Sequence, residues 1–382
     1  MSKWRSIALG EICSPADRFE APQSGKSYRQ IGVRLWGEGA YERERIDGGE
    51  TKYANFNRIE SDDLIVNKIW ARNGSIAVAT SELAGGYVST EFPTFSLNRE
   101  YILPGWMRLI TKSREFWRAC DEKAQGTSGK NRIKPSQFLS IEIPLPPLPE
   151  QRALVARLDA LADKTRQLTA HLDATDTAAD HLLALRFRDA IANALYRPMS
   201  EVAPLVRREV AIDAQASYTE LGVRSFFKGT FQRRTVTGSE FTWQKLFRVE
   251  ADDLIFSNIM AWEQGIALAK LEDHGCVGNH RMLTCAANLD LAVPAFLSYY
   301  FTTDEGFAKV YAASPGTAAR NRTLMATSLE AIQVPVPPLA TQQAFTALQS
   351  TIAALKARHA AIRESSAALL PATLERLFAP TI

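Results

Sequence analysis

Two acidic pairs, Asp62-Asp63 and Asp252-Asp253, are the first residues in this chain that could do chemistry, because adjacent carboxylates can hold a divalent metal or divide acid and base roles. Each pair directly precedes an apolar, strand-like run, where aspartate commonly closes a turn on its own backbone, so the structural reading is favoured. His274, Cys276, His280 and Cys285 place four zinc-type ligands close together, but their spacing fits no paired-ligand pattern. Gly126-Thr127-Ser128-Gly129-Lys130 looks like a phosphate loop, yet it lacks the glycine five positions before Gly129 and the hydroxyl residue after Lys130. A methyltransferase would need a glycine-rich cofactor loop and an Asn-Pro-Pro-aromatic tetrapeptide, and neither occurs. The expectation is a chain with no catalytic residue, no metal and no cofactor of its own.

Binding chemistry is better represented. The glycine-rich loop presents Lys130, Asn131, Arg132 and Lys134, donors suited to phosphates and base edges. Net charge is only +3, so a nucleic-acid partner must be argued locally. From Arg99 to Lys134 there are nine basic residues against four acids, whereas Leu289 to Leu324 balances three against three. From Arg224 to Arg248 there are six against one, with Phe226, Phe227, Phe231 and Trp243 among them, whereas Arg34 to Arg58 balances five against five. The expected DNA contacts are Lys68, Arg72, Lys130, Asn131, Arg132 and Lys134 in the first half, and Arg224, Arg233, Arg234, Asn258, Arg320, Asn321 and Arg322 in the second.

These comparisons are meaningful because the chain is a duplication. Gly32-Val33-Arg34 recurs as Gly222-Val223-Arg224, Asp62-Asp63-Leu64-Ile65 as Asp252-Asp253-Leu254-Ile255, and Asn131-Arg132 as Asn321-Arg322, all at an interval of 190. Ile143-Pro144-Leu145-Pro146-Pro147-Leu148 recurs at 191 as Val334-Pro335-Val336-Pro337-Pro338-Leu339. The stretch Ala84 to Phe95, which answers the His/Cys cluster, contains neither residue type. A preserved frame with diverged polar surface is what two readers of different DNA sequences require.

Each proline-rich phrase opens a long helix-forming run. From Glu150 to Arg197 there is no glycine or proline, enough for a helix of roughly 70 Å. Leu154, Leu158, Leu161, Thr165, Leu168, Leu172, Thr175, Ala179 and Leu182 follow a heptad alternation, as do Phe345, Leu348, Ile352, Leu355, His359, Ile362, Ser366 and Leu369 before Pro371 interrupts. The expected architecture is α+β: two homologous, mixed, strand-rich domains (1–149 and 198–340) separated by two long helical spacers (150–197 and 341–382). A pseudo-twofold internal repeat would make those helices an antiparallel coiled coil. Ordinary proportions of hydrophobic (46%) and charged (23%) residues, four scattered cysteines and no long apolar run lead to the expectation of a cytoplasmic, globular protein without disulfides.

The duplicated layout, the opening Trp4 to Glu11, the Thr127-Ser128-Gly129-Lys130 loop and the phrase Ile143 to Leu148 followed by Pro149-Glu150-Gln151-Arg152 closely resemble the DNA specificity subunit of type I restriction-modification systems. The second helix entrance departs from that pattern, with Ala340-Thr341-Gln342-Gln343. The resemblance implies a non-catalytic adapter with two target recognition domains, each reading half of a bipartite double-stranded DNA site, and helices that set the unread spacer. It also implies two methyltransferase subunits that modify adenine with S-adenosylmethionine, and two restriction subunits that use ATP and magnesium. A stand-alone DNA-modifying enzyme and a protein-interaction scaffold are the competing readings. Steep salt dependence of duplex binding separates the scaffold from the others.

Overall fold

The computed structural model describes residues 4–124, 131–241, 245–316 and 322–379. The chain divides into two compact units, one formed by Met1–Leu172 with His359–Ile382 and the other by Asp173–Arg358. Each is α+β, and among the described residues each contains three sheets.

In the first unit a two-stranded ribbon joins Arg5–Ala8 to Glu142–Leu145. A four-stranded sheet has the order Cys13–Pro15, Thr94–Leu97, Leu64–Val66, Ile76–Val78. A five-stranded sheet has the order Phe19–Glu20, Phe56–Arg58, Tyr87–Ser89, Ser27–Val33, Ala40–Asp47. The second unit repeats this plan strand for strand, including the single parallel pairing, Gln30 with Tyr87 in one unit and Glu220 with Val277 in the other. Even the irregularity in the long hairpin recurs, between Arg29 and Ile31 and between Thr219 and Leu221.

The run Leu64-Ile65-Val66 is apolar without alternation because its strand separates two cores. Leu64 and Val66 enter the larger core with Trp106, Phe116 and Phe138, while Ile65 enters a smaller one with Ile31, Val33 and Val88. Leu254 and Phe256 divide from Ile255 in the same way. A strand buried on both faces reads as a continuous hydrophobic stretch. Two helices follow, Pro104–Ile110 and Arg114–Lys123, with Ser113 accepting from the Phe116 N–H as the cap of the second.

The first long helix spans Leu148–Ile191 and the other Leu339–Phe378. The first therefore stops short of Arg197. Leu195–Pro198 is instead a strand, paired with Gln333–Val336 within the second unit. Pro371 does not end the C-terminal helix, which continues far enough to place Leu374 and Phe378 in the first unit's core, Phe378 lying 5.3 Å from Trp106. Within each unit the two helical segments run antiparallel. Leu154 shares a groove with Leu377 and Leu161 one with Thr373, while Phe187 packs on Phe345 at 5.1 Å and Asp180 pairs with Lys356.

Only part of the heptad stripe is buried. Phe345, Ile352, His359 and Ser366 are covered, but Leu355, Ile362 and Leu369 are exposed, as are Leu168 and Leu182 on the other helix, where Leu183 and Phe187 take the inward positions.

A buried glutamine fixes each helix entrance. Gln151 accepts from the Leu103 N–H and donates to the carbonyls of Tyr101 and Pro146, all within 2.9 Å. Gln342 does the same with Val293, Leu291 and Pro337. Both are fully buried. The proline-rich phrase thus supplies a strand, a turn and a carbonyl acceptor, and the glutamine ties them to the loop that precedes the domain's first pair of helices.

Candidate nucleic-acid interface

In the first unit three segments meet at the end of strand Leu64–Val66. The Lys68 N–H donates to the Glu91 carbonyl (3.1 Å), and the Lys68 carbonyl accepts from the Ile133 N–H (2.9 Å). Lys68 Nζ donates to the Thr90 carbonyl at 2.6 Å, and Arg132 pairs with Glu91 at 3.3 Å. Asn131 and Lys134 flank this corner, Lys134 exposed just before the short helix Pro135–Leu139, its N–H held by Gln137. Arg72 stands 4.0 Å from Asp121.

The second unit builds the same corner from Asn258, whose N–H donates to the Arg281 carbonyl (2.9 Å) and whose carbonyl accepts from the Leu324 N–H (2.8 Å). Arg322 donates to the Ser314 carbonyl and lies 4.1 Å from the Tyr311 ring centre. The structure thus brings Lys68, Asn131 and Arg132 together in the first unit, whereas in the second Asn258 is at the corner and Arg322 meets Ser314 and Tyr311 instead. Arg224, Arg233 and Arg234 lie apart from these, on the long hairpin. Arg224 stacks 4.7 Å from Phe231 and donates to Thr230, while Arg233 and Arg234 both pair with the buried carboxylate of Glu220. Arg233 also helps to line a recess of about 340 Å³ that reaches the corner at Ser257, Asn279 and Arg281. Lys130, Arg320 and Asn321 lie outside the described residues.

Arg281 and Glu91 were not anticipated. A count of charge over long segments hides single residues in short turns, and a search for cations passes over an acid. The repeat interval itself was the available signal, since 91 and 281 are 190 apart and carry opposite charges.

The acidic pairs have structural partners. Asp63 accepts from Arg18 at 2.6 Å and from the Glu60 N–H at 2.7 Å, and Asp253 does likewise with Arg208 and Glu250. The Asp63 hydrogen bond raises the Arg18 pKa. On Arg208 burial is the largest single influence and opposes the charge, but the bond to Asp253 together with the charges of Asp253 and Glu250 outweighs it, so that pKa is raised also. Asp62 and Asp252 occupy the left-handed region, at φ 68° and 66°, which closes the turn into each central strand.

The His/Cys cluster is dispersed. Cys276 is buried in the smaller core, Cys285 in the larger one, and His274 Nδ1 accepts from the Ala251 N–H. Burial pushes the thiols of Cys13 and Cys285 up to about 12 and those of Cys120 and Cys276 upward as well. Because the thiolate is the nucleophile, the folded protein should leave all four cysteines unlabelled by iodoacetamide at about pH 8, with labelling appearing only on unfolding. Mass spectrometry of the native protein checks this, and rapid labelling of any one thiol would contradict its packing.

The chain carries a match to the family described as type I restriction modification DNA specificity domain over residues 1–175. Its fold is shared with the HsdS subunit from Thermoanaerobacter tengcongensis, at 20% identity, covering 98% of this chain and 96% of that one with a TM-score of 0.65. It is shared also with a chain from a structure titled for complex assembly and conformational transition of the type I R-M system, at 18% identity, 98% and 97% coverage and a TM-score of 0.69. No curated protein sequence matches the chain significantly. The matched domain is described as one of DNA specificity. Among the described residues no helix is long and apolar enough to cross a membrane.

Proposed function

We propose that each unit reads one half of a bipartite double-stranded DNA site, with the two long helices setting the unread spacer between the halves. The observation that carries this reading is the corner repeated with the same backbone hydrogen bonds and different polar side chains: Lys68 and Glu91 in one unit, Asn258 and Arg281 in the other. Backbone geometry places a reader and side chains select the base, so a repeated frame with altered donors and acceptors gives two half-sites of different sequence. Lys68, Arg72, Lys130, Asn131, Arg132 and Lys134 serve the first half-site. Arg224, Arg233, Arg234, Asn258, Arg320, Asn321 and Arg322 serve the second.

In this reading the partners are DNA and two modification subunits, which carry S-adenosylmethionine and methylate adenine. Two restriction subunits bring ATP and magnesium. The exposed leucines of the helices, Leu168 and Leu369 in one unit and Leu182, Leu185 and Leu355 in the other, supply apolar surface for the modification subunits. The chain itself needs no cofactor and works in the cytoplasm. Mapping methylated adenines in cells that carry this chain with its modification subunit should return one bipartite motif with a fixed gap. A contiguous motif, or methylation by the repurified chain alone, would overturn the reading.

A further inference from the structure

The two units present opposite charges at one equivalent position. Glu91 and Arg281 are 190 residues apart, and their carbonyls accept from Lys68 and Asn258, themselves 190 apart, so the backbone place is the same and only the side chain differs. Glu91 gives one carboxylate oxygen to Arg132 at 3.3 Å, while its other oxygen is covered and has no donor. The second unit also leaves one covered acceptor unpaired at this corner, Asn258 Oδ1. Covered acceptors without donors are uncommon and costly, so a turn of either side chain that opened its oxygen to a ligand's N–H would be favoured. Arg281 is exposed, has no side-chain partner among the described residues, and has its N–H held by Asn279 Oδ1 at 2.9 Å. It lines the recess with Asn279, Ser257, Ile259 and Arg233.

We propose that positions 91 and 281 are specificity-determining residues: Glu91 accepts the exocyclic amino group of a cytosine in one half-site, and Arg281 donates to O6 and N7 of a guanine in the other. This rests on the reading of each unit as the reader of one half-site. In the major groove cytosine offers only its N4 amino donor, which a carboxylate matches. Guanine offers two acceptors that a guanidinium fork spans. Arg132 already compensates the Glu91 charge, so a cytosine amino group meets an acceptor that carries no unbalanced charge. Two readers identical at this position would select the same base, and the reversal from acid to base makes the halves distinct.

The test uses the full chain with its modification subunit in cells, reading methylated adenines. Arg281→Ala should relax one G·C position of one half-site, with roughly 5- to 150-fold loss of preference there, and leave the other half-site and the gap unchanged. Arg281→Gln, which carries the amide that pairs with adenine, should move the same position toward A·T. Glu91→Gln should relax a single position in the opposite half-site. If these variants keep the parental motif and merely lower occupancy uniformly, the residues contact phosphate or nothing, and the inference fails. An unaltered chain that yields no bipartite motif would sink the half-site reading instead, so the two failures are told apart.

Discussion

Replacing Gln151 or Gln342 by alanine should destabilise the unit that carries it by about 2–4 kcal/mol, a large share of a domain's usual margin. The side chain is fully buried and makes three hydrogen bonds, one accepting and two donating. Alanine leaves a backbone N–H and two carbonyls without it, each a group whose burial unpaired costs roughly 1–3 kcal/mol. Glutamate at the same site should be no better, because a carboxylate can accept from Leu103 but cannot donate to the carbonyls of Tyr101 and Pro146. Hydrogen exchange and denaturant unfolding on the full chain would report the loss. A change below about 0.5 kcal/mol would mean that water replaces all three contacts.

Those glutamines show how the sequence could be read and where it could not. The proline-rich phrase and the run behind it announced a helix entrance twice, and the interval of 191 aligned Gln151 with Gln342 although their neighbours differ. Nothing in the one-dimensional pattern distinguished that glutamine from Gln343, which is exposed, because the distinction lies in which backbone groups happen to surround it. The end of the first long helix was misplaced for a related reason. Absence of glycine and proline permits a helix but does not compel one, and Leu195–Pro198 gains more by pairing with Gln333–Val336, a partner far away in sequence. The heptad stripe likewise overstated burial, since two helices with domains packed along them need fewer covered positions than an isolated coiled coil. Pro371 was read as an interruption, yet the packing of Leu374 and Phe378 beyond it holds the helix in place. At the candidate interface the repeat located the frame, whereas the opposed pair Glu91 and Arg281 emerged only once the carbonyl contacts showed the positions to be the same.

A matched insertion of four residues in both long helices, after Ala178 in one and near Leu355 in the other, should lengthen the unread spacer by one or two base pairs without changing either half-site. Four helical residues add about 6 Å, and B-DNA rises about 3.4 Å per pair. Both helices must be extended, because the segments pack antiparallel: Asp180 pairs with Lys356 and Phe187 with Phe345, and an insertion in one helix alone would shift these pairs past each other. Rotation must be reconciled as well as length. Four residues turn the helix by about 400°, roughly 40° beyond a full turn, while two base pairs turn the duplex by about 70°. The residual twist falls on the DNA or on the helices, and the four-residue stutter disturbs the heptad phase, so lower affinity should accompany the longer gap. Maps of methylated adenines decide the matter: a constant gap with altered half-site bases would show that these helices do not set the spacing.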